Sequence, residues 1–196
     1  MEREDDGDTN NNEDPVVGGD GAAIPRWIFR AAILLWETAA PLSLLVSCVT
    51  TYVIWPAAIR NNNTTDLQHP RNIMMHNANV FFCAVEAALL SGLPIRWADA
   101  AVAPLFGMVY IAFTWCSCSW WASDFAKDGP QFLYFFLDTT LGLLTTKMLA
   151  ALVLALLFFY ALFVALTEVL LASQGSIYLH LGAVVIICRV FMRFRP

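Results

Sequence analysis

The chain has 196 residues, of which 59% are hydrophobic and only 14% charged, with a formal net charge of −5, against roughly half apolar and a quarter charged in a soluble domain. A body of this size cannot bury so much apolar surface in water, and the lack of basic stripes with interleaved aromatics gives no case for nucleic acid as a partner. The charges collect in a tail and in short breaks, leaving apolar runs near the ~20 residues that cross a bilayer, so the expected fold is all-α, a polytopic transmembrane helical bundle of about five spans.

Residues 1–22, which open MEREDDGDTNNNEDPVVGGD, combine acids, Asn and Gly with almost nothing to bury. They are expected to form a disordered acidic tail ahead of a transmembrane domain over residues 23–196. No basic region followed by a short apolar stretch and a small-residue cleavage site is present, so membrane insertion is expected to depend on the first membrane helix.

The first span is expected from Trp27 to Trp55, with Pro25 at its start and Pro56 ending it by removing a backbone donor. At 1.5 Å per residue it is about 43 Å long, more than the hydrocarbon core, so Arg26, Trp27 and Arg30 read as its interfacial end. Glu37, Pro41, Cys48, Thr51 and Trp55 share one side, and the cost of a carboxylate facing lipid turns that side toward protein. The loop from Pro56 to Met75 holds NNNTTD, a turn-forming run in which Asn62 and Asn63 each begin an Asn-x-Thr sequon.

A second span is expected over Asn77–Leu93, followed by a polar break at Arg96 and Asp99. The third runs over Val102–Trp121 and ends in Trp115, Trp120 and Trp121, aromatics of the kind that sit at the headgroup level. WASDFAKDGPQ then turns the chain, so the neighbouring spans should pack up and down in sequence. The fourth covers Thr139–Leu171, with Lys147 placed to snorkel toward headgroups or to pair within the bundle, and Glu168 near its end. The fifth is a short run over Ile177–Val190 with Arg189, Arg193 and Arg195 at its exit.

Cys48, Cys83, Cys116, Cys118 and Cys188 lie in or beside apolar runs, and an odd number without extracellular spacing is not a disulfide framework. Cys116 and Cys118 have neither a second pair nor a suitably placed His to complete a zinc site, so no metal or cofactor is expected.

The sequence MMHNANVFFCAVEAALL carries the most informative pattern. His76, Asn79, Cys83 and Glu86 fall within about 80° of one another on a helix wheel, with Glu86 about 15 Å deeper than His76. Glu86 should face the bundle, be neutral, or have a partner. Gly107, Tyr110 and Thr114 form a matching stripe on the third span, the glycine permitting close approach and the hydroxyls entering the contact. Glu37 and Thr51 do the same on the first, so the three helices are expected to enclose one polar pocket. In one reading these groups tie helices together; in the other His76, whose reference pKa is near 6.5, serves as a base for a hydroxyl nucleophile that the sequence leaves ambiguous.

LLWETAAPLSLLVSCVTTYVIW, HNANVFFCAVE, PLFGMVYIAFTWC and LYFFLD, in this order over about residues 34–138, resemble the membrane family that includes the rolling stone proteins and the androgen-induced membrane hydrolases. The resemblance is an ordered set of weak motifs. It implies that His76 matches the hydrolases' catalytic His, that Asn79 and Glu86 match a following Asn and acid, and that Gly107, Tyr110 and the segment from Tyr134 to Asp138 match later positions. It further implies a multi-span protein of the endoplasmic reticulum or plasma membrane, with membrane lipids as partners and a lipid ester as possible substrate, the hydrolases acting on fatty acid esters of hydroxy fatty acids. The family's threonine nucleophile, however, lies in a helix upstream of the matched region, where this chain has its acidic tail; Thr50 and Thr51 are in a different helix and do not inherit the role. Two functions are therefore expected as alternatives: a non-catalytic scaffold or lipid-binding protein, ranked first because that nucleophile is missing, and a membrane lipid ester hydrolase using His76 with Asn79. With five spans, the distribution of Lys and Arg gives a cytosolic C-terminus.

Overall fold

The computed structural model describes residues 25–62, 64–90, 93–118, 134–173 and 175–192, and every regular element among them is helical. The expected tail, Trp120, Trp121, Lys127, Arg193, Arg195 and the Asn63 sequon lie outside the described residues.

Helix α1 (Arg26–Val49) passes through a π turn at Thr50–Ile54 into α2 (Trp55–Arg60), one run of 35 residues. Pro56 does not end the span, contrary to the sequence expectation. A proline lacks the N–H of an α-helical bond and its ring presses on the carbonyl four residues back. The turn just before it is widened instead, the Trp55 N–H donating to the carbonyl of Thr50, five residues earlier.

After the single turn α3 (Thr65–Gln68), helix α4 (Pro70–Leu89) begins seven residues ahead of the expected Asn77 and stops short of Leu93. Pro70 occupies the first turn, where its missing N–H costs nothing, and Nδ1 of His69 accepts a hydrogen bond from the Arg71 N–H at 3.3 Å. His76 therefore sits roughly two turns inside the helix rather than at its mouth. Helix α5 (Val102–Cys116) follows a 3-10 turn at Trp97–Asp99. Helix α6 (Leu143–Ala172) starts four residues later than expected because the Asp138 carboxylate accepts the Thr140 N–H at 2.8 Å and turns the chain, and Gly142 then adopts φ +56°. Helix α7 (Ile177–Phe191) is close to expectation.

Three of these stretches are long and apolar enough to cross a bilayer: Arg26–Arg60, Trp97–Cys116 and Leu143–Ala172. The polar first half of α4 and the 15-residue length of α7 keep those two outside that group. Helix α7 runs antiparallel to α4 and parallel to α1. His180 near the start of α7 bonds the carbonyl of Ala88 near the end of α4, whereas Ser47 Oγ and Tyr52 Oη donate to the carbonyls of Phe191 (2.5 Å) and Val190 (2.6 Å) at the far end of α7.

Helix α1 is the hub, packing on α4, α5, α6 and α7. Ala84 and Ala88 on the buried face of α4 are small enough to let neighbouring backbones approach, and α7 lies along that helix. The core also holds Leu44, Val80, Leu156, Phe159 and Phe163. Outward faces are equally apolar, with Leu154, Phe158 and Val185 all more than 60% exposed. In water such a surface would aggregate; in a bilayer it meets acyl chains.

Candidate functional site

A cavity of about 330 Å³ lies between α1, α5 and α6, with Tyr134, Phe136 and Leu137 also on its wall. Its walls are chiefly aliphatic and aromatic, including Leu45, Val49, Phe106, Ile111 and Leu152. Gly107 opens one wall: a Cβ there would meet Leu156 at 3.8 Å, ordinary contact, so a larger side chain would extend into the space. The segment from Tyr134 to Asp138 is fastened by Trp115 Nε1, which donates to the carbonyl of Leu137 at 3.0 Å, and by Thr145 Oγ1, which donates to the carbonyl of Asp138. Tyr134 and Phe136, both on the cavity wall, stack with ring centroids 5.0 Å apart.

Thr50, the first residue of the π turn, borders this cavity and also a second, much smaller one. The small cavity is about 20 Å³ and is lined by Thr50, Thr51, Trp55, Asn72, His76 and Asn77 among others. That volume suits about one water molecule. His76 is half-buried there, and its Nδ1 is buried without a hydrogen-bond partner among the described residues. The arrangement places an imidazole and two hydroxyl-bearing side chains around one water-sized space.

The other residues singled out in the sequence do not join them. Asn79 is exposed, and its amide donates to the carbonyl of Met75 at 3.0 Å within its own helix. The buried face of α4 is Asn77, Val80, Ala84 and Ala88, about a third of a turn from the stripe of His76, Asn79, Cys83 and Glu86. Glu86 is partly exposed, lines neither cavity and makes no hydrogen bond or ion pair among the described residues. Lys147 is exposed near the start of α6 and Glu168 is exposed near its end. Gly107 and Tyr110 line the large cavity, whereas Thr114 is buried with its hydroxyl donated to the carbonyl of Ile111. The single pocket expected from three polar stripes is thus resolved into two spaces, with Glu37 in neither.

Glu37 instead organises a separate polar centre. It is fully buried, and Oε1 accepts the backbone N–H of Arg96 at 2.8 Å with the guanidinium Nε at 3.8 Å. Tyr160 Oη donates to the carbonyl of the same Arg96 at 2.7 Å, and Trp36 Nε1 to that of Leu93 at 2.8 Å. The side chain of Arg96 pairs with Asp99 at 2.6 Å. The connection from α4 to α5 is therefore pinned to α1 and α6 by side chains gripping its backbone.

His180, which sequence reasoning passed over inside an apolar run, bonds the Ala88 carbonyl through Nδ1 and faces Ser173 Oγ at 3.2 Å through Nε2. Its signal was available: an imidazole in an apolar run needs partners, and the ends of two helices offer free carbonyls. Among the described residues no three His, Cys, Asp or Glu side chains converge as a metal site.

Comparisons with protein-family models, curated proteins and solved structures return no match for this chain. The resemblance to the rolling stone proteins and androgen-induced hydrolases rests on the sequence motifs alone.

Proposed function

We propose that this protein is a multi-pass membrane protein that binds a long acyl chain in the cavity between α1, α5 and α6. The observation that carries the reading is that cavity, whose volume of about 330 Å³ and apolar lining fall within the range of small-molecule sites. Acyl chains are the abundant apolar solute of a bilayer, and the hydroxyls of Thr50, Tyr110 and Tyr134 supply the few polar groups needed to fix a head. The test is photolabelling of purified protein with a diazirine-bearing palmitoyl probe. Label is expected on peptides that carry Gly107 or Leu152, and Gly107→Phe, which fills the space, is expected to remove it. Label spread over outward faces and indifferent to Gly107→Phe would refute the reading.

One observation favours a second reading, the lipid ester hydrolase. The unpaired Nδ1 of His76 shares a water-sized cavity with Thr50 and Thr51, and Thr50 also borders the acyl cavity. In this reading His76 takes the proton of a threonine hydroxyl or of a water, and the resulting oxygen attacks an ester carbonyl held at the Thr50 side of the apolar space. The exposure of Asn79 and its bond to Met75 give no support to an oxyanion role for that amide. Hydrolysis of long-chain esters by wild-type protein, lowered about 100-fold in folded His76→Ala, is the expected result; no turnover and no labelling by a fluorophosphonate probe would reject it.

The proposed location is the endoplasmic reticulum or plasma membrane with a cytosolic C-terminus, an orientation that leaves the Asn62 sequon unglycosylated. A mass shift abolished by Thr64→Ala together with Thr65→Ala would reverse it.

A further inference from the structure

Several hydroxyl groups elsewhere in the bundle are hydrogen-bonded. Tyr52 and Tyr160 donate to backbone carbonyls, and Thr38, Ser43, Thr114 and Ser117 donate to carbonyls three or four residues back in their own helices. The three hydroxyls on the wall of the large cavity differ: Thr50, Tyr110 and Tyr134 make no hydrogen bond to any described residue. Among the described residues no Lys, Arg, His, Asp or Glu lines this cavity. His76 is on the far side of Thr50 in the small cavity, and Arg96 and Lys147 line neither space.

Among the described residues the wall thus offers three donors and no counter-charge. A carbonyl oxygen needs only donors, whereas a carboxylate or phosphate brought into an apolar space needs a cation to offset its desolvation. We infer that the cavity is selective for an uncharged lipid, a glyceride whose ester carbonyl and alcohol groups meet the hydroxyls of Thr50, Tyr110 and Tyr134, and discriminates against free fatty acids and anionic phospholipids. This rests on the acyl-chain reading and adds to it the charge class of the head. Gly107 gives the chain its room, and the stacked Tyr134 and Phe136 line the same space.

Full-length protein in a nonionic detergent is titrated with a pyrene-labelled dodecane, and the bound probe is displaced by 1-monooleoylglycerol, by oleate at pH 9 or by lysophosphatidic acid. Monooleoylglycerol is expected to displace at concentrations about 100-fold lower than either charged competitor, the scale of burying an uncompensated charge at membrane depth. Tyr110→Phe and Tyr134→Phe, which keep ring and volume, are each expected to weaken monooleoylglycerol about threefold to fivefold and to leave the hydrocarbon probe unaffected. Oleate displacing as well as the glyceride, or a glyceride advantage untouched by both substitutions, overturns the selectivity while the acyl site stands. Failure of the hydrocarbon probe itself to bind overturns both.

Discussion

Replacing Glu37 by Ala removes the acceptor of the Arg96 backbone N–H, a bond of 2.8 Å made by a side chain with no exposure. The buried donor left behind costs about 1–3 kcal/mol, while deleting a carboxylate held in an apolar run returns part of that. A net loss of about 2 kcal/mol is expected, several degrees in Tm. Glu37→Gln keeps an oxygen at the Oε1 position and should lose less than half as much. Tyr160→Phe removes the donor to the carbonyl of the same Arg96 and should cost about 0.6–1.7 kcal/mol, the range of interhelical hydrogen bonds in membranes. Because both bonds hold the backbone of one residue, the double variant should depart from additivity by at least about 0.5 kcal/mol. The assay is thermal or denaturant unfolding in mixed micelles across the four proteins of that cycle, with Glu37→Gln alongside. Equal losses for Glu37→Ala and Glu37→Gln, or strict additivity with Tyr160→Phe, would refute the idea that Glu37 acts through the Arg96 peptide.

His180→Ala breaks the bond that ties α7 to the Ala88 carbonyl of α4 and should destabilise the protein by about 1 kcal/mol, more than Ser173→Ala, whose bond to the Leu170 carbonyl at 2.7 Å is a local back-bond at one helix end; unfolding in detergent checks the order. Gly107→Leu should leave Tm within about 1 °C, because a small contact at Leu156 is gained while the added atoms enter open space, yet abolish acyl photolabelling. His76→Ala should leave insertion and Tm nearly unchanged, since no described residue bonds the ring's Nδ1; a large fall in Tm would show that the imidazole is a packing element and remove the basis for a chemical role.

The apolar runs made the bundle legible, and their breaks placed α6 and α7 to within a few residues. The early start of α4 was also readable, since His69 before Pro70 is a helix-start pairing, but the polar stretch that follows hides it from a search for hydrophobic runs. Helix phase was less accessible. A stripe of His76, Asn79, Cys83 and Glu86 suggests an inward polar face, yet the inward face is set by Ala84 and Ala88, where small side chains permit close packing. Polar residues tell which face is costly to expose; small ones tell where another helix fits. The partner of Glu37 was unreadable for a different reason: it is a backbone N–H, and a backbone donor carries no sequence signature. Thr50 gained its place between two cavities from the π turn that Pro56 provokes, a rearrangement that helical periodicity alone does not register.

Helix α7 is about 22 Å long, short of the ~30 Å hydrocarbon core, and its last carbonyls are met by Ser47 and Tyr52, which stand 144 and 138 residues earlier in the chain. A helix ending inside lipid with bare carbonyls is costly, so α7 gains its stable seat only once α1 is already in position. Assembly therefore has an order: the first helix waits as a template, and the bundle locks when α7 arrives to close on it. A chain in which α1 is inserted but Ser47 and Tyr52 are silenced should accumulate as a four-helix intermediate with α7 undocked, visible as protease-sensitive sites between Ala172 and Ile177.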